Sequence, residues 1–182
     1  MRFDSDGNLW IVDPDENRVL EFKPPFVSGQ SASIVIGQSE FTSAAQGAGA
    51  TGFDYPWSLA FDKLGNLWVS DIADWRILEF APPFSNGESA SVVLGFPTLT
   101  ATANTNLETD MTSPSGLAFD NNGSLFVVDT GGSRVLIFAP PFSNGMSASG
   151  AIGQPSLTTV GATAVPPSAS GLANPVGETF VY

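Results

Sequence analysis

The stretch GSLFVVDTGGSRVLIF, residues 123–138, decides the fold, because two similar stretches occur earlier in the chain. They are DGNLWIVDPDENRVLEF at residues 6–22 and GNLWVSDIADWRILEF at residues 65–80. Each stretch has a glycine turn, an apolar run, an aspartate and, five residues after that aspartate, an arginine. Successive arginines are 58 residues apart, so the chain contains three copies of one structural repeat.

Each repeat has the pattern of four short β-strands. In the second repeat these are residues 56–62, 67–69, 77–80 and 92–94. The second strand is continuously apolar, which is typical of a strand covered on both faces. The blades of a β-propeller have this property, because each sheet lies between two neighbouring sheets. The sequence therefore predicts an all-β fold of β-propeller blades, each with four antiparallel strands.

The repeat also predicts how the chain is divided. The expected blades lie at about residues 1–54, 55–112 and 113–173. Met1 aligns with Leu59, inside a first strand, so we expect the N-terminal blade to lack its inner strand. Residues 174–182 carry one more first-strand pattern, and we expect them to serve as a closing inner strand.

The three repeated stretches resemble the NHL repeat, whose core pairs a glycine turn, an apolar strand, an aspartate and a following arginine. The resemblance extends over all three units and implies one β-propeller blade per unit. The period is longer than is usual for the family, owing to a Pro-Pro-Phe segment and a long loop. The asparagine that commonly precedes the arginine is present only as Asn17, and Trp75 and Ser133 replace it in the other units.

The number of blades bears on assembly. Closed propellers have about four to eight blades, so three blades form an open arc with two apolar flanks. In the family, a strand from one terminus commonly completes the blade at the other terminus. We therefore expect a homo-oligomer, most simply a dimer with six blades, in which residues 174–182 complete the first blade of the partner.

Composition narrows the functions that this chain can have. The net charge is −12, and a phosphate backbone or an anionic membrane would be repelled, so we expect neither nucleic acid nor membrane as a partner. There is no Cys and no His, which excludes thiol nucleophiles and imidazole ligands. We expect no cofactor and no catalytic residue, and a protein or a small neutral or cationic ligand as the partner.

An aspartate and an arginine recur together in every unit. The pairs are Asp13 with Arg18, Asp71 with Arg76 and Asp129 with Arg134. Their presence in all three blades favours a structural role, in which each arginine holds a strand-connecting loop through charge-assisted hydrogen bonds. The alternative is a ring of arginines that binds an anion.

Two tryptophans have no aromatic counterpart in the other repeats. Serine occupies the positions equivalent to Trp57 and Trp75 in the third repeat, at Ser115 and Ser133. An aromatic side chain without a structural counterpart is a candidate for ligand binding. Acidic and aromatic residues lie close to them in sequence: Tyr55, Asp54 and Asp74. We expect these five residues to meet on one loop face, and the alternative is that the loops simply pack on each other.

Carboxylates are the only remaining metal ligands of the usual kind. Unrepeated acids occur in the expected loops, namely Asp15, Glu16, Glu40, Glu108 and Asp110. Residues 4–8 resemble the start of a calcium loop, but the equivalent turns lack its ligands, and we interpret the segment as a hairpin turn. We favour a non-catalytic binding or scaffold module. The alternatives are a carboxylate-metal lactonase-like or lyase-like propeller enzyme, and a fragment of a larger propeller protein.

Overall fold

The computed structural model describes residues 1–101, 111–161 and 169–177. These residues form three four-stranded antiparallel sheets. The first sheet contains β1 (Arg2–Phe3), β2 (Leu9–Asp13), β3 (Arg18–Phe22) and β4 (Ile34–Ile36). The second contains β5 (Pro56–Phe61), β6 (Leu67–Asp71), β7 (Arg76–Phe80) and β8 (Val92–Leu94). The third contains β9 (Pro114–Phe119), β10 (Leu125–Asp129), β11 (Arg134–Phe138) and β12 (Gly150–Ile152).

The predicted all-β fold with four-stranded antiparallel blades is confirmed. Within the described ranges the helical content is one three-residue 3₁₀ turn, Pro14–Glu16. In that same part of the chain, no helix has the length and hydropathy that crossing a membrane requires. The six-bladed dimer stays a prediction.

An aspartate closes the first hairpin of each blade. In the second blade, Asp62 accepts hydrogen bonds from the backbone N–H groups of Leu64 and Asn66, both at 2.9 Å. It also accepts one from the indole Nε1 of Trp68 at 3.2 Å, which orients this core side chain. Asp4 accepts the same kind of hydrogen bond from Trp10 at 2.9 Å, so its carboxylate is engaged in stabilising the hairpin.

The middle blade is covered on both faces. Leu67 and Phe80 face the first blade and belong to a core cluster that includes Trp10 and Ile36. Trp68 faces the other way and packs in a cluster with the third blade. All residues of β6 and β7 are buried, as expected for strands between two neighbouring sheets.

The expectation that the first blade lacks its inner strand is wrong. Arg2 pairs with Trp10 and Phe3 pairs with Leu9, so β1 completes the first sheet with two residues. The equivalent strand β5 has six residues. Two residues suffice because the turn that Asp4 closes places them directly beside β2.

Residues 174–177 lie against the third blade. The hydroxyl of Thr130 donates a hydrogen bond to the carbonyl of Pro175 at 2.7 Å. A Cβ on Gly177 would approach the Cα of Gly116 to 3.0 Å, so this contact requires a small residue. The described residues 174–177 contain no assigned strand, and residues 178–182 lie outside the described residues. A closing strand therefore stays a prediction.

Candidate functional site

The guanidinium group of Arg76 is the central anchor of the loop face. Its Nε lies 2.9 Å from Asp71 Oδ2, and its side chain is only 1% exposed. Its other nitrogens donate to the carbonyls of Ala48 at 2.8 Å, Gly47 at 3.1 Å and Gly52 at 3.0 Å. Arg76 therefore fixes the long loop that precedes its own blade.

The other two arginines donate to carbonyls of the loop that follows their own blade. Arg18 pairs with Asp13 at 2.9 Å and donates to the carbonyl of Phe41 at 2.6 Å. Arg134 pairs with Asp129 at 2.8 Å and donates to the carbonyl of Leu157. Both carbonyls belong to the loop that follows the blade of the arginine.

Asp71 joins the two loops that border the candidate site. It accepts a hydrogen bond from the backbone N–H of Asp54 at 2.7 Å. Two further backbone bonds link the loops, from Ala73 to the Asp54 carbonyl at 3.1 Å and from Ile72 to the Tyr55 carbonyl at 3.3 Å. Burial raises the pKa of Asp71 to about 7, although the charge and hydrogen bond of Arg76 act to lower it.

Tyr55 and Trp57 form a stacked aromatic pair on this face. Their ring centroids are 5.9 Å apart with an interplanar angle of 26°. The pair is accessible, because Tyr55 is 41% and Trp57 50% exposed. Tyr55 has a φ of 61°, an unfavourable value for a bulky residue. Asn17 Oδ1 accepts a hydrogen bond from the Tyr55 N–H at 2.9 Å and helps to hold this backbone conformation.

Asp54 and Asp74 place two carboxylates close to each other, beside the loop that carries the aromatic pair. Burial raises the pKa of Asp74, and the nearby charge of Asp54 raises it further against the opposing effect of Arg76. Asp74 Oδ2 lies 3.1 Å from Arg76 Nη2, but the buried oxygen makes no hydrogen bond in the described part of the chain. Asp54 Oδ1 accepts a hydrogen bond from the Gln46 amide at 3.1 Å. The two carboxylates therefore leave local negative charge that is only partly compensated.

Trp75 occupies a left-handed position that is repeated in every blade. Its φ is 54°, and those of Asn17 and Ser133 are 52° and 53°. Asn17 accepts the Tyr55 N–H at the start of the second blade, and the hydroxyl oxygen of Ser133 accepts the N–H of Asn174 after the third blade. An indole has no such acceptor, and the equivalent N–H, that of Ser113, donates to Asp129 instead at 3.0 Å. This explains how the repeat tolerates Trp75, which is 52% exposed.

A second polar anchor is also missing from the second blade. Gln38 donates to the carbonyl of Asn17 at 3.0 Å, and Gln154 makes the same contact with Ser133 at 3.0 Å. The equivalent residue in the second blade is Phe96, which cannot donate. Phe96 and Trp75 instead line a cavity of about 100 Å³. Sequence reasoning missed Gln38 and Gln154, although they keep the spacing of the repeat.

The structure divides the five candidate residues into two groups. Tyr55 and Trp57 are in direct contact, while Asp74 and Trp75 line the cavity. Asp54 connects the groups through the backbone bonds of its loop and through its charge. Among the described residues, no ring contact joins Trp57 to Trp75. The aromatic pair is therefore separate from the cavity that Trp75 lines.

Carboxylates were also candidates for a metal site. Within the described ranges, no group of three or more acidic residues is placed to hold a metal ion. Glu108 and Asp110 lie outside the described residues.

Replacing Trp57 or Trp75 with serine should change the free energy of unfolding by less than about 0.5 kcal/mol. Both side chains are about half exposed, and the third blade has serine at both positions. Urea denaturation followed by circular dichroism measures the effect. A loss of about 2 kcal/mol in both variants would show that the tryptophans mainly pack the loops together.

Comparison with known proteins supports the resemblance of the repeats. The family model for the NHL repeat matches residues 111–138, which contain all of β9, β10 and β11. The resemblance to NHL-type β-propeller proteins is thereby confirmed in the third blade. No curated protein matches the sequence.

The fold is also similar to that of several solved structures. Virginiamycin B lyase from Staphylococcus aureus matches with 12% identity and a TM-score of 0.48, over 78% of this chain and 38% of that one. A streptogramin B lyase structure matches with 13% identity and a TM-score of 0.48, over 78% of this chain and 37% of that one. The catalytically inactive virginiamycin B lyase from Staphylococcus aureus with quinupristin matches with 12% identity and a TM-score of 0.49, over 78% of this chain and 38% of that one. This chain spans less than two fifths of the length of these proteins.

Proposed function

We propose that this chain is a non-catalytic β-propeller module that binds a small cationic group on the loop face of its second blade. The observation that carries the proposal is the accessible Tyr55–Trp57 stack, with Asp54 next to Tyr55 in the chain and the carboxylate of Asp74 close to that of Asp54. A cation over the face of an aromatic ring gains about 0.5–2 kcal/mol, and nearby carboxylates add attraction. The net charge of −12 favours the approach of the same class of ligand.

The construction of the site also fits binding better than catalysis. Tyr55 is held by Asn17 at 2.9 Å, and its loop is held by Asp71 at 2.7 Å, so the rings are positioned before a ligand arrives. Preorganised groups bind with a smaller entropic cost. Asp71 itself is fully buried and paired with Arg76, so its part in the site is to hold the loop in place.

Tetramethylammonium should bind to this face with a dissociation constant on the order of millimolar. Saturation-transfer NMR on its methyl protons measures the binding directly. The neutral isostere tert-butanol is the matched ligand control, since it has nearly the same shape without the charge. Trp57→Ser should weaken binding by about 1 kcal/mol, or roughly fivefold.

Trp75→Ser is the matched protein control, because Trp75 lies outside the stack but has a similar exposure. It should leave tetramethylammonium binding unchanged. Equal binding of tert-butanol would contradict a cation site and favour a neutral ligand. Unchanged binding in Trp57→Ser would contradict the location.

The same module is also proposed to assemble with a second copy into a closed ring. The support is an apolar groove of about 260 Å³ on the free face of the first blade, lined by Leu9, Ile11, Phe22, Phe26 and Val27 among others. The residues equivalent to the first three, Leu67, Val69 and Phe80, are fully buried by the preceding blade. A third blade from a second copy would cover the groove in the same way.

A further inference from the structure

A second groove lies at the opposite end of the sheets from the loop face. It runs between the second and third blades, has a volume of about 340 Å³, and is lined by Asp62, Leu64, Glu79, Pro140, Pro141 and Phe142 among others. The hairpin turn before β6 forms one wall, whereas the Asp71–Arg76 anchor lies at the end of β6. The groove is therefore separate from the Tyr55–Trp57 site.

Glu79 is a buried carboxylate at this groove. The residue is only 9% exposed, and its Oε2 accepts one hydrogen bond, from the Ser91 hydroxyl at 2.8 Å. Its Oε1 accepts none among the described residues. Burial raises the pKa of Glu79, and the nearby charge of Asp62 raises it further, while the Ser91 bond acts to lower it.

The equivalent carboxylate in the first blade has a counter-charge that Glu79 lacks. Glu21 Oε2 lies 3.7 Å from the ammonium of Lys23. The residue equivalent to Lys23 in the second blade is Ala81, and no ion pair to Glu79 exists in the described part of the chain. Burial of an unpaired carboxylate is unfavourable, so a cation that enters this groove gains a strong partner.

The other charged groups of the groove are already engaged. The Asp62 carboxylate accepts hydrogen bonds from the Leu64 and Asn66 backbone and from Trp68. Lys63 also lines the groove, but its ammonium donates to the carbonyl of Asn121 across the blade interface. Glu79 is thus the group that remains to recognise a ligand.

We propose that this groove binds a lysine side chain of a partner protein. The ammonium contacts Glu79 Oε1, and the alkyl chain packs along Leu64, Pro141 and Phe142. Lysine fits better than arginine because the Ser91 hydroxyl already donates to Oε2 and would compete there with a guanidinium fork, whereas a single ammonium needs only Oε1. The repeat supports the assignment, since Lys23 supplies the same charge to Glu21 from within the chain.

Nα-acetyl-lysine methylamide is the probe for this site. Backbone amide NMR should show saturable shifts at Ser91 and Phe142, with a dissociation constant on the order of millimolar. Glu79→Gln keeps the shape and should weaken binding by about tenfold or more. Ala81→Lys should also abolish the shifts, because it supplies the counter-charge that the first blade has.

Two control variants and two control probes make the result specific. Glu21→Gln alters the paired carboxylate of the first blade and should leave these shifts unchanged. Trp57→Ser should leave them unchanged as well, which separates this site from the proposed cation site on the loop face. Binding that persists in Glu79→Gln, or equal shifts with the Nε-acetylated or the arginine probe, would overturn the proposal.

Discussion

Replacing Arg76 with alanine should lower the free energy of unfolding by about 3–5 kcal/mol, because it leaves the carboxylate of Asp71 buried without its partner. Both side chains of the pair are at most 1% exposed. The substitution also removes the donors to three carbonyls of residues 47–52. Urea denaturation followed by circular dichroism measures the loss.

Arg18→Ala is the matched control for this experiment. Arg18 makes the same contact with Asp13 at 2.9 Å, but the two side chains are 19% and 33% exposed. Water can replace part of what is lost there, so we expect a cost of only about 1 kcal/mol. Equal losses in the two variants would contradict the argument that burial makes the second pair more important. Recovery in Asp71→Asn combined with Arg76→Ala would identify the unpaired carboxylate as the source of the cost.

The blades could be predicted because local sequence determines most of what forms them. A continuous apolar run such as residues 67–69 is stable only when both faces are covered, and the structure buries it completely. The 58-residue spacing then placed the equivalent strands of the other blades. The first inner strand was predicted wrongly because the alignment of Met1 with Leu59 leaves only the last residues of a first strand, and the turn at Asp4 is enough to pair two of them with β2.

The candidate site was less accessible to sequence reasoning. Comparison of equivalent positions identified Trp57 and Trp75 as unusual, but it could not show that Trp57 stacks on Tyr55 while Trp75 lines a cavity. That difference depends on the bulge between Pro56 and Leu59 and on the positive φ of Tyr55. Neither feature has a simple signal in a single sequence, because a bulge depends on the register with the neighbouring strand.

The sequence contains a further signal, since the second blade lacks polar residues that the first and third blades have at equivalent positions. Gln38 and Gln154 bind the carbonyl that precedes each arginine, and Phe96 breaks this pattern in the second blade. The same blade lacks the asparagine or serine at the left-handed position, where it has Trp75. Two departures in one repeat point to a specialised blade, which is where the structure has its aromatic pair.

The chain should be a dimer at micromolar concentration, as measured by sedimentation velocity. Leu9, Ile11 and Phe22 are only partly buried in this chain. Their equivalents in the second blade, Leu67, Val69 and Phe80, are fully buried against a neighbouring blade. Removing apolar surface of this kind from water stabilises the assembly by about 25 cal/mol per Å². A ring of two copies removes it at two junctions at once.

Ile11→Asp should convert the dimer to a monomer, because it places a charge in the centre of the free face of the first blade. Leu64→Asp is the matched control, since Leu64 is 82% exposed in a hairpin turn away from that face, and this variant should remain dimeric. Deletion of residues 174–182 should give monomeric or aggregated protein, because residues 174–177 lie against the third blade and would stand at its junction with a second copy. A stable monomer of the unaltered chain would contradict the closed ring, and the additional blades would then have to come from elsewhere. A larger discrete oligomer would retain the junction between third and first blades but would contradict closure by two copies.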